Sequence, residues 1–137
     1  MSADELRTRY LRDKVMTASP AQRVVMIYDR LGLDLTRAAA GTADQIAETG
    51  AHLAHAMQIV TELQSSLDTS AGGPADNLAS IYGYLLRELI TIRGGQLERL
   101  PAVIEMVAGL RQAWAAAAEQ VVREPAQLGA AAGAWVG

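Results

Sequence analysis

The sequence predicts an all-α fold, an antiparallel four-helix bundle preceded by a short mobile N-terminal arm. Apolar residues recur at helical spacing through four successive segments. Glycine-containing breaks at Gly41, Gly72-Gly73-Pro74 and Gly94-Gly95 separate those segments. Alanine and leucine, both strong helix formers, dominate the apolar composition, and phenylalanine is absent. There is no strand-like alternation and no internal repeat. Four amphipathic helices on short connections bury their stripes best as an antiparallel bundle. The expected organisation is an arm over residues 1–16, a bundle over 17–123 and a flexible Ala/Gly-rich tail over 124–137.

The arm carries Arg7, Arg9, Arg12 and Lys14 among Leu6, Tyr10, Leu11 and Val15. Its spacing suits a short helix, but one too short to be stable alone. Two readings stand: a frayed terminus, or an arm that lays Tyr10 and Leu11 on the bundle.

The first bundle helix begins at a strong start signal. Ser19 can accept a bond from an orphan amide of the first turn. Pro20 suits the first helical position, and Gln22, three residues after Ser19, completes a capping box. The helix should run from Pro20 to about Ala40, with Val24, Ile27, Tyr28, Leu31, Leu35 and Ala38 as its buried stripe. Gly41 is expected in the C-cap role.

Thr42 or Asp44 can cap the second helix, which reaches about Asp68 and turns Ile46, Leu53, Met57, Val60 and Leu67 inward. Gly50 interrupts its early turns. The third helix starts at Pro74 after two turn-permitting glycines. It buries Leu78, Ile81, Tyr82, Leu85, Leu89 and Ile92. The fourth runs from Gln96 or Leu100 to about Val122, with Pro101 tolerated only in its first turn. Leu100, Val103, Ile104, Val107, Leu110, Trp114, Ala118 and Val121 should face inward. The tail, with Trp135, has no amphipathic pattern long enough to pack.

At 137 residues the chain is one domain, large enough for a core without staples. It has no cysteine, which excludes disulfides, thiolate metal sites and a cysteine nucleophile. The net charge is -3 and the basic residues are dispersed, against a nucleic-acid surface. The N-terminus is acidic without an apolar signal core, and no run is long enough to span a bilayer. The composition reads as a soluble, cytoplasmic chain with no membrane insertion.

Candidate chemistry is sparse. Glu48, His52 and His55 are the one metal-like set, but Glu48 and His55 fall opposite the Leu53–Met57–Val60 face. No Glu-x-x-His pair of the di-iron bundle type occurs. Two solvated histidines on a polar face are the expectation, with no cofactor and no metal. Ser65, Ser66 and Ser80 have no evident histidine partner, and Gly72-Gly73 lacks the Lys and Ser/Thr of a phosphate loop. A binding protein is expected rather than an enzyme.

What remains is apolar surface in excess of the core. Met26 and Leu33 lie opposite the first helix's stripe, with Val25 on the flank. Tyr84, Leu86 and Ile90 fall outside the stripe of the third helix, and Met106 outside that of the fourth. Repeated surplus of this kind marks a partner surface, and Met suits varied apolar partners. The same residues could instead serve a homodimer, or be absorbed by a bundle that buries more than one stripe.

The stretch Thr17-Ala18-Ser19-Pro20, then Gln22 and Met26-Ile27-Tyr28-Asp29, resembles the signature of the FliS flagellin export chaperones. Tyr10, Asn77-Leu78 with Ile81-Tyr82 and Tyr84, and Leu110 with Ala113-Trp114 fall where that family has similar residues. The likeness runs from about Tyr10 to Val122. Arg23, Arg30 and Ile92 depart from residues common in the family at those places, and Gly94-Gly95 loosens the turn after the third helix. The resemblance implies a cytoplasmic helical bundle that holds the disordered C-terminal segment of flagellin in apolar surface grooves. Premature polymerisation before type III export is thereby prevented. It implies partner-binding roles for Tyr10, Leu11, Val25, Met26, Leu33, Tyr84 and Ile90, with the arm competing for the groove when no client is present. Other flagellar export components are further expected partners. The competing reading is a structural or export-adaptor bundle that homo-oligomerises.

Overall fold

The computed structural model describes residues 2–123 except 69 and 71, and among these the regular structure is helical throughout. Five α-helices follow in order: α1 (Ala3–Thr17), α2 (Pro20–Ala39), α3 (Ile46–Ser65), α4 (Pro74–Arg93) and α5 (Leu100–Arg123). Helices α2 to α5 form the expected antiparallel bundle. The tail from 124 onward, with Trp135, and the side chain of Val121 lie outside the described residues.

Helix α2 begins as its sequence dictates. Ser19 has an extended backbone, and its hydroxyl accepts the Gln22 N–H at 3.2 Å. The Gln22 side-chain oxygen accepts the Ser19 N–H in return, at 2.8 Å. Two orphan donors are thus satisfied reciprocally, with Pro20 at the first helical position. At the other end the cap residue is Ala40, and Gly41 does not take a left-handed conformation. The expected C-cap role is therefore corrected. Gly41 is required by space, because a Cβ there would collide with the Thr49 hydroxyl of α3.

A 3-10 turn over Ala43–Gln45, started by a Thr42–Gln45 capping box, leads into α3. That helix runs unbroken through Gly50. Before α4, Gly72 and Gly73 take φ values of 67° and 60°. Side chains rarely adopt that region, so the glycine pair permits the sharp turn into Pro74. Gly95, at φ 124°, serves the same end after α4. A second 3-10 turn, Leu97–Arg99, precedes α5.

Most of the predicted stripes are buried. Val24, Tyr28, Leu31, Leu35 and Ala38 of α2 meet Leu53 and Val60 of α3, Leu78, Tyr82, Leu85, Leu89 and Ile92 of α4, and Leu100, Val103, Val107, Trp114 and Ala118 of α5. Ile81, Met57, Leu67, Ile104 and Leu110 are half-buried against them, as is Leu86, which the sequence set outside the stripe. Two expected core residues are not core. Ile27 is 39% exposed, because it stands about 100° round the helix from Tyr28, at the edge of the stripe. Ile46 is 75% exposed. It continues the α3 stripe past the point where α2 has ended, so no helix covers it.

Helix α2 packs most extensively on α5 and α3, and α3 on α4; α4 and α5 meet over a smaller area, and α2 and α4 hardly touch through their backbones. Helices α2 and α4 are therefore diagonal, joined through the core. There Tyr28 and Tyr82 hydroxyls lie 2.6 Å apart. The buried indole of Trp114 stands close to the Tyr28 hydroxyl. Burial, foremost, pushes both phenols above their ordinary range.

Three outcomes are expected. Ser19→Ala should lower unfolding free energy by about 1 kcal/mol through loss of the cap, read as a lower denaturant midpoint at unchanged slope. Trp114→Ala should cost about 3–5 kcal/mol, since it removes a buried indole. The third concerns pH. Folded Tyr28 and Tyr82 keep their protons where unfolded tyrosine loses them, so their contribution is intact below pH about 10 and declines above it. The fall should approach about 1.4 kcal/mol per pH unit for each phenol. In Tyr82→Phe, chemical unfolding measured across that range should show a shallower alkaline slope.

Candidate functional site

The residues singled out for partner binding fall into three places. Val25 and Met26 are half-buried and line a cleft of about 440 Å³ between α2 and α5. Its other wall is Ala115 and Ala118 of α5, and the small size of these side chains leaves the space open. Ala18 and Gln22 extend it toward the start of α2. At its rim Arg111 Nε donates to Asp29 Oδ1 at 2.7 Å, tying the two helices. That hydrogen bond, then the carboxylate's charge, raises the Arg111 pKa further. Met26 is thus a wall of a cleft rather than a residue fully opposite the core. Leu33, two turns on, is 43% exposed on the outer side of α2. The cleft and Leu33 form one apolar flank with charge at its margin.

Tyr84 and Ile90 are exposed on α4, on the far side of the bundle from α2. Six residues apart, they stand on different sides of their helix. One flat partner could not touch these and Met26 together. Tyr10 and Leu11 are on α1, which is a helix of 15 residues. Tyr10 is 65% exposed, and among the described residues α1 makes no extensive contact with another helix. None of the described α1 residues lines the cleft at Met26.

The polar face also departs from expectation. His52 and His55 are not simply solvated. His55 Nδ1 is hydrogen-bonded to Asp34 Oδ2, and His52 Nδ1 lies 3.8 Å from Asp34 Oδ1. Asp34 is only 5% exposed, the one buried charged residue of the described chain. Sequence reasoning missed it, although an acid between Leu31 and Leu35 on a buried stripe was a visible signal. Buried carboxylates need partners, and α3 supplies them. Among the described residues no group of three His, Cys, Asp or Glu is placed to hold a metal ion. The hydrogen bond between Asp34 and His55 clasps α2 to α3.

A second apolar cleft, of about 470 Å³, opens at the end of the bundle where α2 joins α3 and α4 joins α5. Ile46, Leu53, Ile92 and Leu97 line it, with Arg93 at its edge. No periodicity signals it, because its walls come from four separate segments. No helix among the described residues is long and apolar enough to cross a membrane.

The described residues thus present two clefts and exposed apolar flanks on a helical bundle. The family model described as "Flagellar protein FliS" matches residues 2–121. No curated protein and no solved structure matches the chain. The match spans α1 to α5 almost entire, and with the all-helical bundle it shows that the chain belongs to the FliS family of flagellar export chaperones.

Proposed function

We propose that this protein is a cytoplasmic, non-enzymatic chaperone for flagellin. It holds the disordered C-terminal segment of flagellin on its apolar flanks and so prevents polymerisation before type III export. Family membership supports the reading. The structural observation that carries it is the placement of apolar residues on opposite sides of the bundle. Val25, Met26 and Leu33 stand on α2, with Tyr84 and Ile90 across the core on α4. A rigid globular partner could cover one side alone. A disordered chain can wrap both, ordering into helix as its apolar residues find the clefts. Other export components engage the loaded bundle. Burial of extended apolar surface offsets the entropy lost in ordering the client.

Calorimetric titration with the C-terminal peptide of flagellin from the same organism tests this. Binding should show a negative heat-capacity change, and far-ultraviolet dichroism of the mixture should exceed the sum of its parts as the peptide gains helix. Leu33→Glu should weaken the peptide about tenfold or more, roughly 1.4 kcal/mol or above, without altering the melting curve of the free protein. Met26→Glu should act likewise, with some loss of stability because Met26 is half-buried. Absence of any heat or dichroic change on mixing would exclude the flagellin reading. Binding that both substitutions leave intact would move the site off α2.

A further inference from the structure

The cleft between α2 and α5 is kept open by two alanines. Val25 and Met26 form one wall and Ala115 and Ala118 the other, around about 440 Å³. Clefts of that size enclose small organic groups. The margin is polar, with the Asp29–Arg111 pair and Glu119. Apolar walls with a polar margin suit an indole, whose body is apolar and whose N–H needs an acceptor. A thioether and a guanidinium both make favourable contacts with aromatic rings, and Met26 and Arg111 supply them.

The chain carries such a ring within reach. Helix α5 ends at Arg123, about 8–12 Å along its axis from Ala118 and Ala115. Pro125 comes next but one. It has no N–H, and its ring clashes with the carbonyl four residues back, so it disfavours continuation of α5 along its axis. Residues 129–134 are alanine and glycine alone, and Trp135 follows them. A glycine-containing chain as long as the 12 residues 124–135 spans about 20 Å root-mean-square. That matches the distance back to the α2–α5 cleft with room to turn. The end cleft lies out of that range, because the 24 residues of α5 span about 36 Å. Joined by so short a tether, the indole is present at the cleft at an effective concentration on the order of millimolar. That exceeds what a second copy supplies in dilute solution.

We propose that Trp135 docks in the α2–α5 cleft of its own chain, between Met26 and Ala115, with residues 124–134 as its tether. The tail needs no amphipathic stripe for this, since a single anchor at the end of a tether is enough. The docking does not rest on the flagellin reading. Where a client uses the same cleft, the tail is a competitor built into the chain.

Acrylamide quenching of tryptophan fluorescence tests it on the full chain. The sequence has two tryptophans, Trp135 and the buried Trp114, so the difference between the parent and Trp135→Phe isolates the Trp135 signal. That signal should be blue-shifted, quenched several-fold less than free tryptophan, and the same at every protein concentration. Ala115→Glu puts a charge in the wall and should raise Trp135 quenching several-fold at unchanged dichroism, since Ala115 is only half-buried. Met26→Gln, on the opposite wall, should do the same by an independent route. Full quenching of Trp135 in the parent, or shielding that survives both wall variants, would overturn the proposal. Shielding that grows with protein concentration would also overturn it, because the ring would then sit on a second copy. These measurements contain no flagellin, so their failure is distinct from failure of the chaperone reading. Added afterwards, a bound flagellin peptide should release Trp135 to the quencher. Peptide bound with Trp135 still shielded would overturn the competition.

Discussion

The hydroxyl–hydroxyl contact of Tyr28 and Tyr82, with the indole of Trp114 upon it, is the constraint around which the bundle is arranged. It joins α2, α4 and α5, including the diagonal pair that scarcely meets elsewhere. A buried hydroxyl without a partner is expensive, and the two hydroxyls here satisfy each other. The three helices must therefore hold one register along their axes. A purely aliphatic core would tolerate small slips of one helix past another. This one does not, because a slip of one turn would strand at least one buried polar atom.

That register sets the surfaces. With Tyr28 aimed at the centre, Val25 is turned to the α5 side, where alanines keep a cleft open, and Asp34 to the α3 side, where His55 meets it. One helix thus serves three neighbours on three faces. The α5 face uses small residues, and the α3 face uses a buried charge. The first leaves an open cleft, and the second closes the seam. The apolar flanks lie outside a core that is already complete.

The ends of the bundle follow a different logic. Stripes written at helical period do not stop where the neighbouring helix stops. Ile46 carries the α3 stripe one turn beyond α2, and Leu97 stands in the turn ahead of α5. Their exposure is a consequence of unequal helix limits rather than of composition. The result is an apolar concavity in a place where a sequence pattern predicts core.

By itself the sequence determined the local decisions. The Ser19–Pro20–Gln22 start, the glycine pair before Pro74, the stripes of α4 and α5 and the family signature depend on residues within one turn or one loop of each other. Short-range chemistry of that kind is legible in a single chain. The tertiary structure alone decided which flank of each stripe a neighbour covers. Ile27 and Ile46 follow the same spacing as buried residues, and only the limits of adjacent helices leave them in solvent. Gly41 reads as a helix terminator, and only the approach of Thr49 shows that it is required for space. Asp34 and His55 are 21 residues apart, and no periodicity links them. Their pairing arises because α2 and α3 pack side by side and a buried carboxylate must find a donor on whatever helix lies opposite.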